Sequence, residues 1–371
     1  MQDEHYDVVI IGGGPSGLAT AISLAAKAAA SSRAANILLI DQQPLVHQRI
    51  GENVPSETLV LLKQLGVEAQ FAQGGHEPCP DFASLWGGNQ VEYNEAIVNP
   101  FGHSWRLNRD AFDLVLINRA KDLGVNLLWQ SRFIKAVPAC DNKAGYQVHF
   151  QTESQAIRTV QADFVVDASG TKASFAKGQN IKKHVDDKLI AIVHFATLQQ
   201  PHKGKQVRID ASANSWCYHS LLPKQKVMSM LIAELGDRKS LEQNAYHEFK
   251  RQLPRALWVG DEAEEIELSN ESFHTYRIIS GMLEQVEGSH WIAVGDAASS
   301  FDPVAAQGVY KGIRHGIFAA EVIFAKLKKQ VSAINYSQMI QQDYRHYLRN
   351  RAHLYQLEQR WPNSDFWKKR S

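Results

Sequence analysis

The sequence of 371 residues lacks the signatures of several protein classes. Its three cysteines, Cys79, Cys140 and Cys217, are far apart and form no CxxC pair, which argues against a disulfide framework and a thiolate zinc site. Its 15 histidines form no HxxxH or HExxH pair, so no metal site is predicted. The 40 lysines and arginines balance 39 aspartates and glutamates, and a net charge of +1 creates no overall field that would attract nucleic acid.

Long apolar runs and a signal peptide are also missing. The most apolar stretch after the first predicted strand, residues 18–30, is interrupted by Lys27 and is shorter than the ~20 apolar residues that a bilayer-spanning helix needs. Residues 1–7 are acidic, whereas a signal peptide begins with a basic region. Together with the sparse cysteines, these features predict a cytoplasmic protein that binds neither a membrane nor nucleic acid.

What the sequence contains is typical of a folded protein with about two structural units. Hydrophobic residues make up 44% and charged residues 21% of the chain, close to the averages of globular proteins. At roughly 150 residues per domain, the length favours two units over one.

The order of apolar runs and glycines predicts a mixed α/β fold. A short apolar run over 6–11, a helix over 15–30 and a second run over 36–41 form a βαβ unit. Further elements follow in chain order: a helix over 56–65, loops and short strands over 74–105, a helix over 110–123, strands over 126–129 and 163–167, β-type runs within 185–280 around one helix near 240–252, a strand over 290–294 and a helix over 303–328. The runs within 185–280 predict a separate, mostly antiparallel sheet.

A glycine-rich turn between the first strand and the first helix predicts a dinucleotide site. Residues 12–17 read GGGPSG and match GxGxxG. Gly12 permits a tight turn, Gly14 lets backbone amides approach a pyrophosphate, and Gly17 allows close helix packing. Asp41 ends the next strand, where a carboxylate can bind ribose hydroxyls. The alternatives are a purely structural glycine turn and a strand-end turn residue.

Two later segments share their order and spacing with the motifs of a known family. Residues 163–171, DFVVDASGT, form a strand followed by DxxG, and residues 293–308 contain Gly295, Asp296 and the sequence DPVAAQG. With the glycine-rich turn, they resemble the FAD-dependent monooxygenase superfamily. The resemblance implies that FAD is the cofactor and that Asp296 binds its ribityl and pyrophosphate groups. It also implies that the helix after Pro303 directs its amides towards the flavin pyrimidine.

Two further segments are similar to the halogenase-like branch of this superfamily. One is residues 49–55, RIGENVP, which contains Glu52, and the other is residues 99–113, NPFGHSWRLNRDAFD, which contains Arg109. The resemblance places Glu52 near the flavin and Arg109 at the FAD phosphates or ribityl chain. A solvated turn carboxylate and a surface salt bridge are the alternatives for these two residues.

The sequence departs from the halogenases in two places. Halogenases carry the pattern WxWxIP, whereas residues 216–223 read WCYHSLLP, so that Tyr218 stands in place of the second tryptophan. Halogenases also use a lysine beyond the GE segment to pass on the oxidised halide, but no lysine or arginine lies between Lys63 and Arg106. These departures disfavour halogenation, while the flavin-binding scaffold remains.

The C-terminal segment predicts an amphipathic helix. Residues 343–371 contain seven Lys/Arg and three Asp/Glu, a local charge of +4. Tyr344, Tyr347, Arg351 and Tyr355 recur at three- to four-residue spacing. Two interpretations are open: the helix caps the FAD-binding domain with a solvated basic face, or the segment is a docking surface for an acidic partner.

Across nearly the whole chain, the motifs are most similar to those of the flavoproteins that mature tryptophylquinone cofactors in lysine and glycine oxidases. The resemblance implies that reduced FAD and dioxygen hydroxylate a tryptophan side chain in the precursor of a quinoprotein amino-acid oxidase, with an unknown reductant. Three alternatives are open: a FAD-dependent hydroxylase of a free aromatic molecule, a flavin reductase of isoprenoid type, and a flavin-loaded maturation chaperone without chemistry.

The resemblance also implies a fold and a division of the chain. The expected class is α/β, with a Rossmann-like FAD-binding domain of the glutathione-reductase and p-hydroxybenzoate-hydroxylase type interleaved with a mostly antiparallel β-sheet substrate domain. The FAD-binding domain is expected to comprise residues 1–73, 106–184 and 285–340, the substrate domain residues 74–105 and 185–284, and a C-terminal helical tail residues 341–371.

The expected site residues follow from the same motifs. The cofactor-binding set is Gly12, Gly14, Pro15, Ser16, Gly17, Asp41, Arg49, Arg109, Asp167, Gly170, Gly295, Asp296, Pro303 and Gly308. For the catalytic site, Glu52, Asp302 and Gln307 are expected near the flavin, and Trp216 and His219 on the substrate side.

Overall fold

The computed structural model describes residues 4–32, 34–45, 49–79, 81–95, 102–139, 144–197, 207–236, 238–256 and 273–371. Cys140 and parts of the segments 74–105 and 185–284, expected in the substrate domain, lie outside the described residues.

Strands and helices are mixed over the first third of the chain, and strands dominate the middle. The strands are β1 (Glu4–Ile11), β2 (Ile37–Ile40), β3 (Asn53–Val54), β4 (Glu77–Cys79), β5 (Asp81–Leu85), β6 (Glu92–Glu95), β7 (Ser104–Arg106), β8 (Asn126–Leu128), β9 (Arg132–Pro138), β10 (Tyr146–Gln151), β11 (Ile157–Asp167), β12 (Lys183–Thr197), β13 (Val207–Ser212), β14 (Ser215–Leu222), β15 (Lys226–Glu234), β16 (Phe273–Leu283), β17 (Trp291–Ala293) and β18 (Ser299–Ser300). The helices are α1 (Pro15–Ala30), α2 (Thr58–Gln64), α3 (Glu68–Ala72), α4 (Arg109–Asp122), α5 (Ser174–Gly178), α6 (Arg238–Ala256), α7 (Gly308–Leu327), α8 (Tyr336–Gln356) and α9 (Asp365–Lys368). None of the helices found in these ranges is long and apolar enough to cross a membrane.

The first sheet contains the predicted βαβ unit. Its strand order is β8-β2-β1-β11-β10-β9, and β17 also pairs with β11. Strands β8, β2, β1, β11 and β17 are parallel to their neighbours, whereas β10 and β9 are antiparallel. Strand β2 and the second half of β1 are runs of Val, Ile and Leu that are buried on both faces, as is typical of a parallel sheet covered by helices. Helices α1 and α7 pack against each other and share the core of this sheet.

The second sheet is broad and mostly antiparallel, as expected. Its order is β18-β16-β12-β15-β14-β13-β5-β6, and only the β13–β5 pair among these is parallel. One face packs on the C-terminal residues Tyr355, Phe366 and Trp367. The other face packs on α6 through Ala245 and Phe249. Strands β14 and β15 are therefore buried along almost their whole length.

The α/β class is confirmed, and the strands divide between the two sheets almost as the predicted segments do. The exception is β18, which joins the second sheet although segment 285–340 is expected in the FAD-binding domain. The segment 74–105 contains the short strands that were expected among its loops: β5 and β6 join the second sheet, and β4 and β7 form a small third sheet with β3. The domain boundaries themselves stay a prediction.

The helix expected over 303–328 begins later than predicted. Pro303–Ala305 form a 3-10 turn, and the Asp302 carboxylate accepts a hydrogen bond from the amide of Val304 (2.8 Å). Ala306 then adopts a left-handed φ of 49°, which interrupts the helical backbone. For this reason α7 starts only at Gly308.

The amphipathic C-terminal helix is present as α8, and it connects the two sheets. Tyr336 and Ile340 near its start belong to the core of the first sheet, while Tyr355 near its end belongs to the core of the second. Helix α8 therefore covers both layers, and the interpretation of this helix as a cap on the FAD-binding domain is incomplete. Arg351 and Arg370 are buried rather than part of a solvated basic face.

Candidate functional site

A cavity of about 360 Å³ is lined by residues from both sheets. Its walls come from the glycine-rich turn, from residues 49–53, from the segment 295–312 and from strands β14, β15 and β16. The structure brings the following predicted site residues together on these walls: Gly14, Pro15, Ser16, Arg49, Glu52, Arg109, Gly170, Gly295, Asp296, Asp302, Pro303 and Gly308.

The geometry of the glycine-rich turn shows why glycine is needed at particular positions. Gly12 has a φ of +116°, and a Cβ atom there would lie 2.2 Å from the carbonyl oxygen of Ala168. A Cβ on Gly17 would lie 2.0 Å from the carbonyl oxygen of Gly12. Gly12 and Gly17 are therefore needed for packing behind the turn, whereas Gly14 has open space at its Cα and faces the cavity.

Two helix N-termini contribute to the cavity wall. Helix α1 begins at Pro15 and helix α7 at Gly308, and both residues line the cavity. Unpaired amides and the partial positive charge at such ends favour an anionic or polar ligand. A Cβ on Gly308 would meet no atom within 4 Å, so this end of α7 is open to a ligand as well.

Asp41 and Asp167 serve the turns around the cavity rather than its wall. The Asp41 carboxylate accepts hydrogen bonds from the amides of Gly13 (2.5 Å) and Gln43 (2.7 Å). Asp167 is fully buried and accepts bonds from the Ser169 hydroxyl (2.6 Å) and the Ala176 amide (2.9 Å). Burial raises the pKa of Asp167. The expectation of a direct cofactor contact is thus corrected for Asp167, which braces the turn that presents Gly170.

Asp296 lies on the wall next to two lysines that the sequence analysis missed. The Lys311 ammonium, of which only 4% is exposed, lies 2.6 Å from the Asp296 carboxylate and 3.9 Å above the Phe301 ring. Lys183 donates to the Asp296 carbonyl (3.3 Å), and burial lowers the pKa of this lysine to about 8 although Asp296 acts in the opposite direction. Lys311 lies on the buried face of α7, between the apolar residues Val309 and Ile313, and a lysine in such a pattern is the signal that could have indicated it.

Arg109 is held by a buried ion pair, which replaces the surface salt bridge considered above. Its guanidinium lies 3.1 Å from the Asp113 carboxylate and donates to the carbonyl oxygens of Ile50 (2.5 Å) and Gly51 (3.1 Å). Arg49 approaches the same Asp113 at 3.7 Å. Both arginines therefore hold segment 49–53 against the cavity.

Glu52 is a buried carboxyl group and not a solvated turn residue. Only 4% of the residue is exposed. Its Oε2 accepts a hydrogen bond from the Gly51 amide (3.0 Å), whereas the buried Oε1 has no hydrogen-bond partner among the described residues. Burial raises the pKa of Glu52 to about 7, although the nearby Arg109 charge acts in the opposite direction.

Asp302 is fixed from behind by the C-terminal helix. The Tyr355 hydroxyl donates to Asp302 Oδ2 (2.7 Å), and the Asp302 amide donates to the Tyr347 hydroxyl (3.0 Å). The Tyr347 ring stacks on Phe301, with 4.1 Å between ring centroids and an interplanar angle of 3°. Burial raises the pKa of Asp302. Sequence analysis found the spacing of these tyrosines but not their contact with the cavity wall.

Trp216 and His219 are not on the cavity wall, and their expected positions are corrected. Gln307 lies between the wall residues Ala306 and Gly308, and its place near the flavin stays a prediction. Trp216 packs in the core between β14 and the tail, where its Nε1 donates to the Tyr355 hydroxyl (3.0 Å). His219 faces the opposite side of β14, next to Phe249 of α6. Gln307 is exposed and precedes α7.

Tyr218 occupies the position that faces the cavity. Side chains alternate along a strand, so Tyr218 points away from the α6 side on which His219 lies. Asn53 donates a hydrogen bond to the Tyr218 hydroxyl. Met228, Met230 and Ile278 complete this wall, which is apolar and rich in sulfur.

Known proteins share sequence or fold with nearly the whole of this chain. Residues 5–335 match the family described as FAD binding domain. The chain is 25% identical over 368 residues to the putative FAD-dependent oxidoreductase LodB of Marinomonas mediterranea, covering 99% of this chain and 97% of LodB. Two solved structures share the fold. The myxobacterial chondrochloren halogenase CndH has a TM-score of 0.82 at 17% identity, over 99% of this chain and 86% of that one. The peptidyl tryptophan dihydroxylase QhpG, essential for tryptophylquinone cofactor biogenesis, has a TM-score of 0.75 at 20% identity, over 99% and 78% of the two chains.

Proposed function

Because the chain belongs to the FAD binding domain family and is a FAD-dependent oxidoreductase of the monooxygenase type, we propose that it hydroxylates a tryptophan side chain in the precursor of a quinoprotein amino-acid oxidase. The reaction consumes dioxygen and two reducing equivalents. The substrate that QhpG is named for, a peptidyl tryptophan, supports the proposal. We also propose a cytoplasmic location, which agrees with the buried thiols of Cys79 and Cys217.

FAD fits the residues that line the cavity. The amides at the start of α1 suit the pyrophosphate, and Gly14 leaves room for it. Asp296 suits the ribityl hydroxyls, since 43% of its side chain is exposed at the wall. The start of α7 suits the polar edge of the ring system. When bound, the flavin supplies two-electron redox chemistry with dioxygen.

The observation that carries the proposal is the cavity wall formed by strands β14, β15 and β16. Met228, Met230 and Ile278 form an apolar surface beside Tyr218. Thioether groups make favourable contacts with aromatic rings, so this wall suits an indole. No lysine is among the described residues that line the cavity, which disfavours the use of an oxidised halide.

The same wall favours a tryptophan within a protein over the free amino acid. A free amino acid brings an ammonium and a carboxylate group, and burial of either needs an oppositely charged partner. The two arginines of the cavity are already bound to Asp113 and to backbone carbonyls. In a polypeptide, the tryptophan carries only amide groups, which need no charged partner.

We expect Asp296→Ala to lower the FAD content of the purified protein at least ~10-fold. The substitution removes the carboxylate at the cavity wall and leaves the Lys311 ammonium buried without its counter-ion, a cost of a few kcal/mol. The measurement is the ratio of flavin absorbance to protein. Asp163→Ala, which removes an exposed aspartate paired with His5, is the matched control and should keep its FAD. Full flavin occupancy in Asp296→Ala would contradict the assigned role.

The proposed function is tested by mixing reduced enzyme, isotopically labelled dioxygen and the precursor oxidase. We expect a mass gain of labelled oxygen on a tryptophan of the precursor, and negligible oxidation of free tryptophan under the same conditions. Mass spectrometry of precursor peptides is the measurement. The flavin-free Asp296→Ala enzyme serves as the control.

Each other outcome identifies a different function. Rapid oxidation of free tryptophan without a change in the precursor would indicate a small-molecule hydroxylase. Equal maturation of the precursor by the flavin-free variant would indicate a chaperone without chemistry. A halogen on the product, with bromide or chloride present, would indicate a halogenase.

A further inference from the structure

A second and smaller cavity, of about 50 Å³, adjoins the flavin cavity. The two cavities share Arg49, Glu52 and Arg109 as lining residues. The small cavity is otherwise bounded by residues 107–110, by Phe195 of β12 and by the adjoining ends of β14 and β15 with the turn between them. It has room for a few water molecules and is too small for an indole ring.

The small cavity ends at the protein surface. Three of its lining residues, Asp110, Lys224 and Lys226, are exposed. Glu52, which lines both cavities, is buried. Glu52 is thus the carboxyl group that lies between water-sized space open to solvent and the cavity that fits the flavin.

The Glu52 carboxyl has one oxygen without a protein partner. Oε2 accepts the Gly51 amide, while Oε1 is buried and unpaired among the residues that the structure describes. A buried polar atom left unpaired costs about 1–3 kcal/mol, so a water molecule or a reacting group is the expected partner of Oε1.

Hydroxylation by a reduced flavin requires one proton from outside for each turnover. The balance is RH + O2 + FADH⁻ + H⁺ → ROH + H2O + FAD. Dioxygen is the oxidant, the reduced flavin supplies two electrons and one proton, and the second proton of the water comes from solvent. Formation of hydrogen peroxide without substrate has the same demand: FADH⁻ + O2 + H⁺ → FAD + H2O2.

We propose that Glu52 supplies this proton, which it takes up from water in the small cavity and releases into the flavin cavity. The inference rests on the proposed function for the hydroxylation step and on FAD binding alone for the peroxide-forming step. In this proposal Glu52 acts as a general acid. Residues 107–110 and the β14–β15 turn line the route by which protons from solvent reach it.

The charges around Glu52 allow both of its protonation states near neutrality. Burial favours the protonated acid and Arg109 the carboxylate, which together bring the pKa to about 7. Arg49 and Arg109 share Asp113, whose single charge offsets one of their two. The facing phenols of Tyr218 and Tyr276 stay neutral because burial raises their pKa values above 10. Asp110, Lys224 and Lys226 lie at the solvent end of the small cavity.

The protonation of Glu52 is tested directly by infrared spectroscopy of the holoenzyme. The wild-type spectrum minus that of Glu52→Gln should contain the carbonyl band of a protonated carboxylic acid, and this band should disappear as the pH rises through about 7. The buried acids Asp167 and Asp302 are present in both proteins, so their bands cancel. A difference spectrum without a protonated acid between pH 5 and pH 7 would overturn the proposal.

The proton transfer is tested by stopped-flow mixing of reduced holoenzyme with dioxygen. We expect oxidised flavin to reappear about 10²-fold more slowly in Glu52→Gln, with an unchanged FAD content, and the fall of the wild-type rate above pH 7 to be absent. Glu52→Asp should recover part of the rate. If Glu52→Gln has the wild-type rate and pH profile, Glu52 does not supply the proton.

The solvent route is tested by filling the small cavity. Leu222→Trp, in the wall of this cavity, should slow the same step at least ~10-fold while the infrared band remains. Leu235→Trp is the matched control, because Leu235 is 51% exposed and belongs to neither cavity. An unchanged rate in Leu222→Trp would overturn the route. These measurements use no precursor, so a failed precursor assay would contradict only the proposed substrate.

Discussion

Replacement of Asp187 by alanine is expected to lower the free energy of unfolding by about 3–5 kcal/mol. Asp187, which belongs to β12, accepts hydrogen bonds from Arg370 Nε (2.6 Å) and Nη2 (2.9 Å) and from Arg351 Nη2 (2.5 Å). Only 1% of the Arg370 side chain and 9% of the Arg351 side chain are exposed. Without the Asp187 carboxylate, the two guanidinium groups stay buried with less opposite charge around them. Denaturant titration at neutral pH measures the change in the free energy of unfolding.

Glu234→Ala is the matched control for this prediction. Glu234 also binds Arg370, at 3.2 Å, but 42% of its side chain is exposed. Its removal should cost less than about 1 kcal/mol, because water replaces an exposed carboxylate at low cost. Equal losses for the two variants would show that burial of the arginines is not what makes Asp187 important.

The second large effect is expected for Gly12→Ala, which should destabilise the protein by about 2–6 kcal/mol and prevent FAD binding. The new methyl group would lie 2.2 Å from the carbonyl oxygen and 2.7 Å from the carbonyl carbon of Ala168, and both are backbone atoms. The φ of +116° also disfavours any side chain at this position. Thermal unfolding and the flavin content of the purified variant are the two measurements.

Two other glycines separate the effect on the fold from the effect on the cofactor. Gly14 has an ordinary φ of −76° and open space at its Cα, so Gly14→Ala should fold normally but bind FAD more weakly. Gly178 also has open space and lies in α5 away from the cavity, so Gly178→Ala should change neither property. A fully FAD-loaded and stable Gly12→Ala protein would contradict the role of the turn.

The sequence was most informative where residues of the cavity directly follow an apolar strand that the sequence pattern identifies. The glycine-rich turn, the strand before Asp167 and the pair Gly295–Asp296 lie at the ends of apolar strands, and parallel strands bring such ends to one edge of a sheet. Their meeting at one cavity could therefore be expected from the βαβ pattern. The left-handed Ala306 that delays α7 has no comparable signal, because alanine does not mark positive φ.

The substrate side could not be predicted for a different reason. On a strand with one solvated face, alternation of polar and apolar residues shows which side chains point inward. Both faces of β14 are covered, and Ser215–Leu221 are all buried. The pattern around Trp216 and His219 therefore carries no information about the face that meets the cavity, and Tyr218 emerges only from the pairing of the strands.

The burial of two arginines in the C-terminal segment could not be predicted from the sequence either. Arg351 and Arg370 lie in a segment with a local charge of +4, for which a solvated face is the ordinary expectation. Their counter-ion, Asp187, is 164 and 183 residues away in sequence. A contact of that separation depends on the packing of α8 against the second sheet and leaves no trace in local composition.

Helix α8 packs on both sheets, so a chimera between related proteins cannot exchange one sheet without affecting the packing of this helix. It contributes Tyr336 to the core of the first sheet and Tyr355 to that of the second, and Tyr355 also holds Asp302 at the cavity. A chimera that grafts a foreign second sheet onto this flavin scaffold would leave the far half of α8 facing a surface it does not match. The second sheet therefore has to move together with the far half of α8 and the residues after it, with the junction placed between Ile340, which packs on the first sheet, and Tyr344, which binds Asp186 of β12.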